Sequence, residues 1–333
     1  MRIKNNLKNE LKEVKLLIKN EVITDKSISK LYGHVFKTSG KQIRSKLSLI
    51  SSSLKANKQN YKKRIALAAV IELLHSATLV HDDVIDESSI RRGQKSINNL
   101  WTNSHGVLIG DFIYSKAFIL MVKIKNLKLL EELSFATNDI SKGELIQLDA
   151  INNIKIKLDD LLKISYYKTG RLFEAAAKSA AYLIDSNLKY TKQISKSAKY
   201  IGIIFQIKDD LLDYQINEKK LGKPSFQDIK ESKITYPFYF AYKNANFQQK
   251  KTLRSFLGNK SINKSKSYKL IDSLNGIVET KRLLNEYYKK ANFYIKKLED
   301  NKIRKEMLEL LELAILRDKW ISFHKKNIQK MNL

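Results

Sequence analysis

The stretch "HSATLVHDDVIDESSIRRGQ", residues 75 to 94, joins the end of an apolar segment to a concentrated negative charge. Asp82, Asp83 and Asp86 repel one another, and carboxylates at a helix C-terminus also face the negative end of the helix dipole. A positive counter-charge is therefore expected here. A metal ion, a basic partner and plain water are the three candidates.

The residues before this cluster have the periodicity of an amphipathic helix. Apolar side chains recur there at three- and four-residue steps: Ile65, Ala68, Ala69, Leu73, Ala77 and Val80. Further helices are predicted at about 106–121, 126–150, 158–184, 190–214, 235–244, 265–298 and 301–325. Only two prolines and 11 glycines supply turns, and period-2 alternation is scarce, so no sheet is expected. No linker divides the chain, which favours one large all-α domain over residues 1–333.

The overall charge limits the partners without identifying one. The 63 basic and 34 acidic residues give a net charge of +29, which suits nucleic acid, an anionic membrane surface or phosphorylated small substrates. Because lysine is spread along the whole chain, a solvated surface of biased composition is the favoured interpretation. Cysteine is absent, which excludes a disulfide scaffold and a thiolate site. No signal peptide and no uncharged apolar run of about 18 residues is found, so a cytoplasmic protein is expected.

A second aspartate cluster repeats the spacing of the first. In "IGIIFQIKDDLLDY", residues 201 to 214, the aspartates Asp209, Asp210 and Asp213 again follow an apolar helical segment. The first and third aspartates of each cluster are four residues apart and so share a helix face. One such turn is typical of a solvated surface, but two copies ending two apolar helices indicate carboxylates that frame one cavity mouth. Mg²⁺ is the expected cation, because it takes one or two carboxylates and leaves its other positions to water and phosphate.

Basic residues near the first cluster are candidates for direct phosphate contact. Arg91 and Arg92 follow it directly, and "TSGKQIRS" supplies Lys41 and Arg44 ahead of another helix. Arginine suits this role because its planar guanidinium binds phosphate through two parallel hydrogen bonds. His75 lies two turns before the cluster, where a hydrogen-bonded core histidine is the ordinary alternative.

These segments resemble the trans-prenyl diphosphate synthases, the polyprenyl synthetase family. "HSATLVHDDVIDESSIRRG", "GDFIYSKAF", "YYKTGRLFEAAA", "FQIKDDLLDY" and "LGKP…DIKESKITYP" occur in the family's order, from about residue 39 to about residue 240. The closest likeness is to bacterial long-chain enzymes that make quinone side chains. The resemblance implies an antiparallel helix bundle around a deep central cavity (the isoprenoid synthase fold) and a homodimer. It also implies Mg²⁺-dependent condensation of an allylic diphosphate with isopentenyl diphosphate, without a protein general base.

Individual residues are carried over only where the motifs match. The resemblance implies catalytic roles for Asp82, Asp86, Asp209 and Lys168, and metal binding by Asp82, Asp83, Asp86, Asp209, Asp210 and Asp213. It implies isopentenyl diphosphate binding by Lys41, Arg44, His75 and Arg92. It implies allylic diphosphate binding by Arg91, Lys168, Thr169, Gln206, Lys223 and Lys233. Ala77 and Thr78, one turn before the first cluster, are small side chains that would let a growing hydrocarbon tail pass, so a long product is expected.

The sequence departs from the family pattern in two loops. Ser39, Gln42 and Ser45 replace a glycine, an arginine and a proline, and "PSFQDIKESK" lacks the usual glycine and one aspartate. The alternatives are a short-chain synthase, a class I terpene cyclase, a non-catalytic partner subunit and a basic helical nucleic-acid-binding protein. Peripheral contact with the membrane that receives the product is also expected.

Overall fold

A computed structural model describes residues 7–20, 23–38, 40–215 and 225–316. Helix accounts for 78% of the structure, which confirms the all-α prediction. Within the described ranges, the strands are β1 (Ile90–Arg91) and β2 (Gln94–Lys95), which pair antiparallel in one small hairpin.

The helices follow one another with short connections. They are α1 (Leu7–Lys19), α2 (Lys26–Lys37), α3 (Ile43–Ser51), α4 (Lys58–Ile85), α5 (Ile97–Leu100), α6 (Asn103–Ile124), α7 (Leu127–Asp149), α8 (Leu158–Ser165), α9 (Arg171–Leu183), α10 (Leu188–Asp213), α11 (Gln227–Lys230), α12 (Tyr236–Asn244), α13 (Phe247–Arg254), α14 (Lys264–Ser273), α15 (Gly276–Lys296) and α16 (Asn301–Ile315). A 3₁₀ turn (Ser53–Lys55) precedes α4, and a π-helical turn (Tyr166–Gly170) joins α8 to α9.

The chain divides into two compact units. The first contains Met1–Asn138, Leu172–Ala198 and Tyr294–Met307. The second contains Asp139–Arg171, Lys199–Phe293 and Leu308–Leu333. The prediction of a single domain stays a prediction.

Helix α4 is the centre of the first unit and packs against α1, α3 and α6. Small residues on α6 permit the close approach: a Cβ added at Gly110 would lie 2.2 Å from His81 Nε2, and one at Gly106 would lie 2.5 Å from Val84 Cγ2. Among the described residues, α4 alone is long and apolar enough to cross a membrane, but 67% of its most apolar window is buried within the protein. Such burial is typical of a core helix.

A buried ion pair fixes the charged helix α1 to this core. Arg64 of α4 is fully buried and donates to Glu10 Oε1 at 2.7 Å, while Glu10 itself is 3% exposed. Arg64 also donates to Ser52 Oγ at 3.0 Å and to the Leu49 carbonyl at 3.1 Å. These three acceptors satisfy a guanidinium that would otherwise be costly to bury.

The second unit departs from the predicted helices in two places. The single helix expected over 265–298 is wrong, because α14 ends at Ser273 and α15 begins at Gly276. Asn275 takes a left-handed φ of 61° between them, and a Cβ at position 276 would lie 2.3 Å from the Pro237 carbonyl. The helix expected over 158–184 is present, but the π-helical turn interrupts it.

Other predicted helices occur with shifted ends. The helix expected over 301–325 ends at Ile315, and residues 317–333 lie outside the described residues. Pro237 occupies the first turn of α12, as its position predicts. Helices α1, α2, α5, α11 and α13 were not predicted.

Candidate active site

The first aspartate cluster lies at the C-terminal end of helix α4. Asp82 and Asp83 lie in its last turn and Asp86 is its C-cap, with the Asp86 amide donating to the Asp82 carbonyl at 2.8 Å. Asp82 and Asp86 are half-buried, whereas Asp83 is buried and accepts from Arg91 Nε at 2.7 Å and from Arg91 Nη2. Burial raises the pKa of Asp83, and the hydrogen bonds and charge of Arg91 only partly oppose this rise. Part of the expected counter-charge is therefore a side chain of the protein.

The hairpin of β1 and β2 positions the two arginines. Arg91 pairs with Gln94, so Arg92 and Gly93 form a two-residue turn. Their φ values of 52° and 76° are positive, as in the type I′ turns that suit hairpins. Gly93 adopts this conformation without strain, whereas an arginine in it costs about 1 kcal/mol or more. The turn places Arg92 at the tip of the hairpin.

Arg92 reaches back to the loop before α3. Its Nη1 donates to the Thr38 carbonyl at 3.3 Å, and a Cβ at Gly40 would lie 2.6 Å from its Nη2. The glycine therefore leaves room for the guanidinium. Lys41, the next residue, is exposed on the same loop.

Arg44 and His75 form a second contact in the first unit. Arg44 Nη1 lies 3.0 Å from His75 Nε2, and its guanidinium lies 4.8 Å from the ring centroid of Phe173. A guanidinium only donates hydrogen bonds, so His75 Nε2 is the acceptor and the imidazole is neutral. Burial is the main cause that lowers the pKa of His75 well below its usual range, and the charges of the neighbouring arginines add to it. A neutral histidine among arginines leaves a net positive site suited to an anion.

Two of the three substitutions near the start of α3 are accommodated, and Ser39 lies outside the described residues. Gln42 is buried with a left-handed φ of 48°, and Ser45 is fully buried. The Ser45 hydroxyl lies 2.9 Å from the Ala68 carbonyl and 3.0 Å from Glu72 Oε2. Glu72 is a buried carboxylate whose charge raises the pKa of Arg92 against the larger lowering effect of burial. The sequence analysis does not identify Glu72 as a site residue, although it lies one turn before His75.

The two residues expected to set product length differ in environment. Ala77 is fully buried, while Thr78 is half-buried and donates its hydroxyl to the His75 carbonyl at 2.8 Å. Ala77 precedes His81 and Val84 by four and seven residues. It therefore lies on the face of α4 that packs closely on α6.

The second aspartate cluster closes helix α10. Asp209 is half-buried, and Asp210 and Asp213 are buried. Asp213 accepts from the backbone amides of Gln227 at 3.2 Å and Asp228 at 3.1 Å, so its carboxylate holds the start of α11. As in the first cluster, the buried aspartates have protein donors.

Asp210 belongs to a hydrogen-bonded row of side chains. Thr169 Oγ1 donates to Gln206 Oε1 at 2.7 Å, and Gln206 Nε2 donates to Asp210 Oδ1 at 2.9 Å. Burial is the largest cause that raises the pKa of Asp210 well above its usual range, followed by the charge of Asp228. Two carboxyl groups thus share a buried region where an added cation would be stabilising.

One pocket in the second unit gathers the residues expected on the allylic side. Lys168, Gln206, Asp210 and Lys233 line it. Lys233 pairs with Glu231 at 2.8 Å and is 11% exposed. Lys223 lies outside the described residues.

The aspartates fit a hard divalent cation only in part. Within the described ranges, no three carboxylate or imidazole groups converge into a ready-made metal cage. Asp82 and Asp86 nevertheless offer oxygen ligands one turn apart, and both are only half-buried. This set fits Mg²⁺, which takes few carboxylates and leaves its other positions to water and phosphate.

The sequence analysis does not identify three further residues of the second unit as site residues. Glu144 and Gln147 accept from Lys168 Nζ at 2.9 and 2.8 Å, and Asp228 lines the pocket. The segment "GELIQ" places Glu144 and Gln147 three residues apart on one helix face, which is the signal that could have found them.

Comparison with known proteins shows which family the chain belongs to. The family model "Polyprenyl synthetase" matches residues 25–274. The octaprenyl diphosphate synthase of Escherichia coli (strain K12) is 33% identical over 294 residues, covering 88% of this chain and 90% of that protein.

Two solved structures have the same fold as this chain. The heptaprenyl diphosphate synthase of Staphylococcus aureus superposes with a TM-score of 0.88 at 27% identity, covering 95% of this chain and all of that one. A polyprenyl synthase from Caulobacter crescentus CB15, complexed with calcium and isoprenyl diphosphate, superposes with a TM-score of 0.86 at 28% identity, covering 92% and 94% of the two chains.

The chain therefore belongs to the polyprenyl synthetase family. It has the all-α isoprenoid synthase fold and is a prenyl-transferring enzyme. The family acts on isoprenyl diphosphates and depends on a metal.

Proposed function

We propose that the chain condenses an allylic prenyl diphosphate with isopentenyl diphosphate to give a long-chain, all-trans polyprenyl diphosphate. The observation that carries the proposal is the repeated arrangement of charge. Each aspartate cluster closes a long helix, and basic side chains suited to phosphate adjoin it: Arg91 and Arg92 in the first unit, Lys168 and Lys233 in the second.

Isopentenyl diphosphate is assigned to the basic residues of the first unit. Arg44 and Arg92 supply guanidinium groups that bind phosphate oxygens through paired hydrogen bonds, and Lys41 adds a point charge. His75 holds Arg44 through its neutral Nε2. Both arginines are fixed before the substrate arrives, so little side-chain entropy is lost on binding.

The allylic diphosphate is assigned to Arg91, Lys168, Thr169, Gln206, Lys223 and Lys233. Asp82, Asp86 and Asp209 would hold Mg²⁺, with Asp83, Asp210 and Asp213 behind them. When bound, Mg²⁺ neutralises the diphosphate and makes it a better leaving group.

The proposed reaction needs no general base from the protein. The bond between the allylic carbon and the diphosphate oxygen breaks, and the oxygen keeps the electron pair. The double bond of isopentenyl diphosphate supplies the pair for the new carbon–carbon bond. The proton then lost goes to the released diphosphate. The residues of the chain bind and orient both substrates, which lowers the entropic part of the barrier.

The setting of the reaction is also proposed. The product serves a quinone side chain, and the enzyme is a cytoplasmic homodimer with peripheral membrane contact. Exposed apolar side chains on one stripe of α6 support the dimer: Val107, Leu108, Phe118, Ile119 and Val122. The net charge of +29 supports contact with an anionic membrane surface.

Product analysis tests the proposal. Purified protein is incubated with farnesyl diphosphate, isopentenyl diphosphate and Mg²⁺, and the dephosphorylated products are separated by chromatography. Products of more than about four isoprene units are expected, and excess chelator should abolish them. Asp82→Ala or Asp209→Ala should lower turnover by orders of magnitude, since each removes metal binding worth several kcal/mol in the transition state.

The control and the opposing outcomes are distinct. Asp159→Ala removes an exposed aspartate of α8 and should leave turnover unchanged. A hydrocarbon formed from the allylic diphosphate alone would indicate a terpene cyclase. A product that stops at geranylgeranyl diphosphate would indicate a short-chain synthase, and full activity of either cluster variant would refute the metal role. No turnover with salt-sensitive nucleic-acid binding would indicate a basic binding protein.

A further inference from the structure

Lys168 is held by two side chains of α7 that have no role in the proposed function. Its Nζ donates to Glu144 Oε2 at 2.9 Å and to Gln147 Oε1 at 2.8 Å. The side chains of Lys168 and Glu144 are only 20% and 18% exposed. A lysine ammonium is a point charge on a flexible four-carbon stem, so its acceptors decide where the charge lies.

The backbone around this contact is built for close approach. A Cβ at Gly143 would lie 2.6 Å from Tyr167 Cβ and 3.1 Å from the Lys168 amide nitrogen. Glycine at this position therefore lets α7 lie directly against the π-helical turn that carries Lys168. The contact brings Glu144 and Gln147 within reach of the ammonium.

The π-helical turn itself is fixed at its far end. The Arg171 amide donates to the Tyr166 carbonyl, five residues back, and Arg171 Nε donates to Asp139 Oδ2 at 2.7 Å. Such turns widen a helix locally, and they are frequent at functional sites. Asp139, Gly143 and Gln147 recur at four-residue steps, so one face of α7 meets the whole turn.

The held ammonium stands in the wall of the second-unit pocket. Gln147 and Lys168 both line it, together with Asp210 and Lys233. Two oxygen acceptors offset the cost of partly burying the ammonium before any anion is present. The charge is thereby fixed in advance at the pocket, where a diphosphate would need it.

We propose that Glu144 and Gln147 are positioning residues that place the Lys168 ammonium for the allylic diphosphate. This inference rests on the proposed function, because it names the residues that prepare one side of that site. It assigns neither residue a contact with the substrate. Their effect passes entirely through Lys168.

Steady-state kinetics with farnesyl and isopentenyl diphosphate test the assignment. Glu144→Ala and Gln147→Leu should each raise the KM for farnesyl diphosphate about tenfold or more, because each removes a hydrogen bond to a charged group. The KM for isopentenyl diphosphate should change by less than about twofold. Glu144→Gln keeps an oxygen acceptor and should recover most of the loss caused by Glu144→Ala.

A double-mutant cycle separates positioning from a general structural effect. Once Lys168→Ala is in place, adding Glu144→Ala should change the farnesyl diphosphate KM no further, because the group it acts through is gone. The matched control is Glu132→Ala, which breaks a partly buried glutamate–lysine pair of the same type with Lys178, at 2.6 Å. That variant should leave both KM values unchanged.

The outcomes that overturn the inference differ from those that overturn the function. If Glu144→Ala and Lys168→Ala multiply in the double variant, or if both KM values rise together, the positioning role is refuted while the function stands. If wild-type protein forms no product, the proposed function and this inference both fall.

Discussion

At the scale of single residues, the six clustered aspartates occupy two kinds of environment. Asp82, Asp86 and Asp209 are half-buried, and these are the residues for which catalytic roles are proposed. Asp83 and Asp213 are buried and accept hydrogen bonds from Arg91 and from backbone amides. A buried carboxylate of this kind stabilises the loop or hairpin that it holds. Its loss should therefore reduce stability as well as activity.

Ala77 allows a test of what limits the product. Ala77→Phe puts a ring on the face of α4 where the growing tail is expected to pass, so products should become shorter by several isoprene units. The ring also overfills a fully buried site, which costs about 1–3 kcal/mol of stability. Chromatography of dephosphorylated products and a thermal unfolding curve measure the two effects separately.

The control for this change is Ala77→Val, which adds two methyl groups without a ring. It should keep the long product while losing some stability. An active Ala77→Phe enzyme that still makes the long product would mean that Ala77 serves only the close packing of α4 on α6.

The sequence predicts some of these residue roles and not others. Spacing alone finds both clusters, and the arginine pair follows directly from the first. It does not distinguish Asp82 from Asp83, because the difference arises from a partner eight residues away in a hairpin. Nor does it find Gly143 as a contact point, since the atoms that a Cβ would meet belong to another helix.

At the scale of elements, apolar periodicity predicts the long buried helices and fails where tertiary contact decides. The breaks before Gly276 and at Tyr166–Gly170 depend on contacts between elements. Helix α1 is charged on every turn and was not predicted, yet it buries Val14 and Ile18 on the same face as Glu10. The buried pair of Glu10 and Arg64 explains how it nonetheless docks.

This pair supports a stability prediction for α1. Glu10→Gln leaves the fully buried Arg64 without a charged partner and should lower the free energy of unfolding by about 3 kcal/mol. Urea denaturation followed by circular dichroism measures the change. Substrate KM values should stay within about twofold, because α1 carries no assigned site residue.

A neighbouring glutamate of α1 is the matched control. Glu13 is exposed and accepts from Tyr61 Oη at 2.6 Å. Glu13→Gln should cost less than about 1 kcal/mol. Equal losses for the two variants would mean that the Glu10 pair contributes no more than a surface contact.

At the scale of the whole molecule, net charge and exposed apolar surface oppose each other. Two copies of a chain with a charge of +29 repel, so any self-association must come from apolar burial. Leu108 and Val122 of α6 are 67% and 63% exposed, and they lie about four turns apart on one stripe. Covering such a stripe with a second copy would remove it from water.

The association should therefore have the salt dependence of an apolar interface between like-charged partners. Raising the ionic strength from about 0.01 to 0.15 M shortens the screening length from about 30 to 8 Å, so the dimer should become tighter with salt.

Sedimentation equilibrium should give about twice the 38.6 kDa chain mass for wild-type protein. The double variant Leu108→Glu, Val122→Glu should sediment as a monomer, because it buries two unpaired carboxylates at the contact. The matched control is Leu188→Glu, Phe247→Glu, which changes two side chains that are 85% and 87% exposed on other helices and should remain dimeric. A dimer that survives the α6 variant, or one that dissociates as salt is added, would place the interface elsewhere and give it a different chemistry.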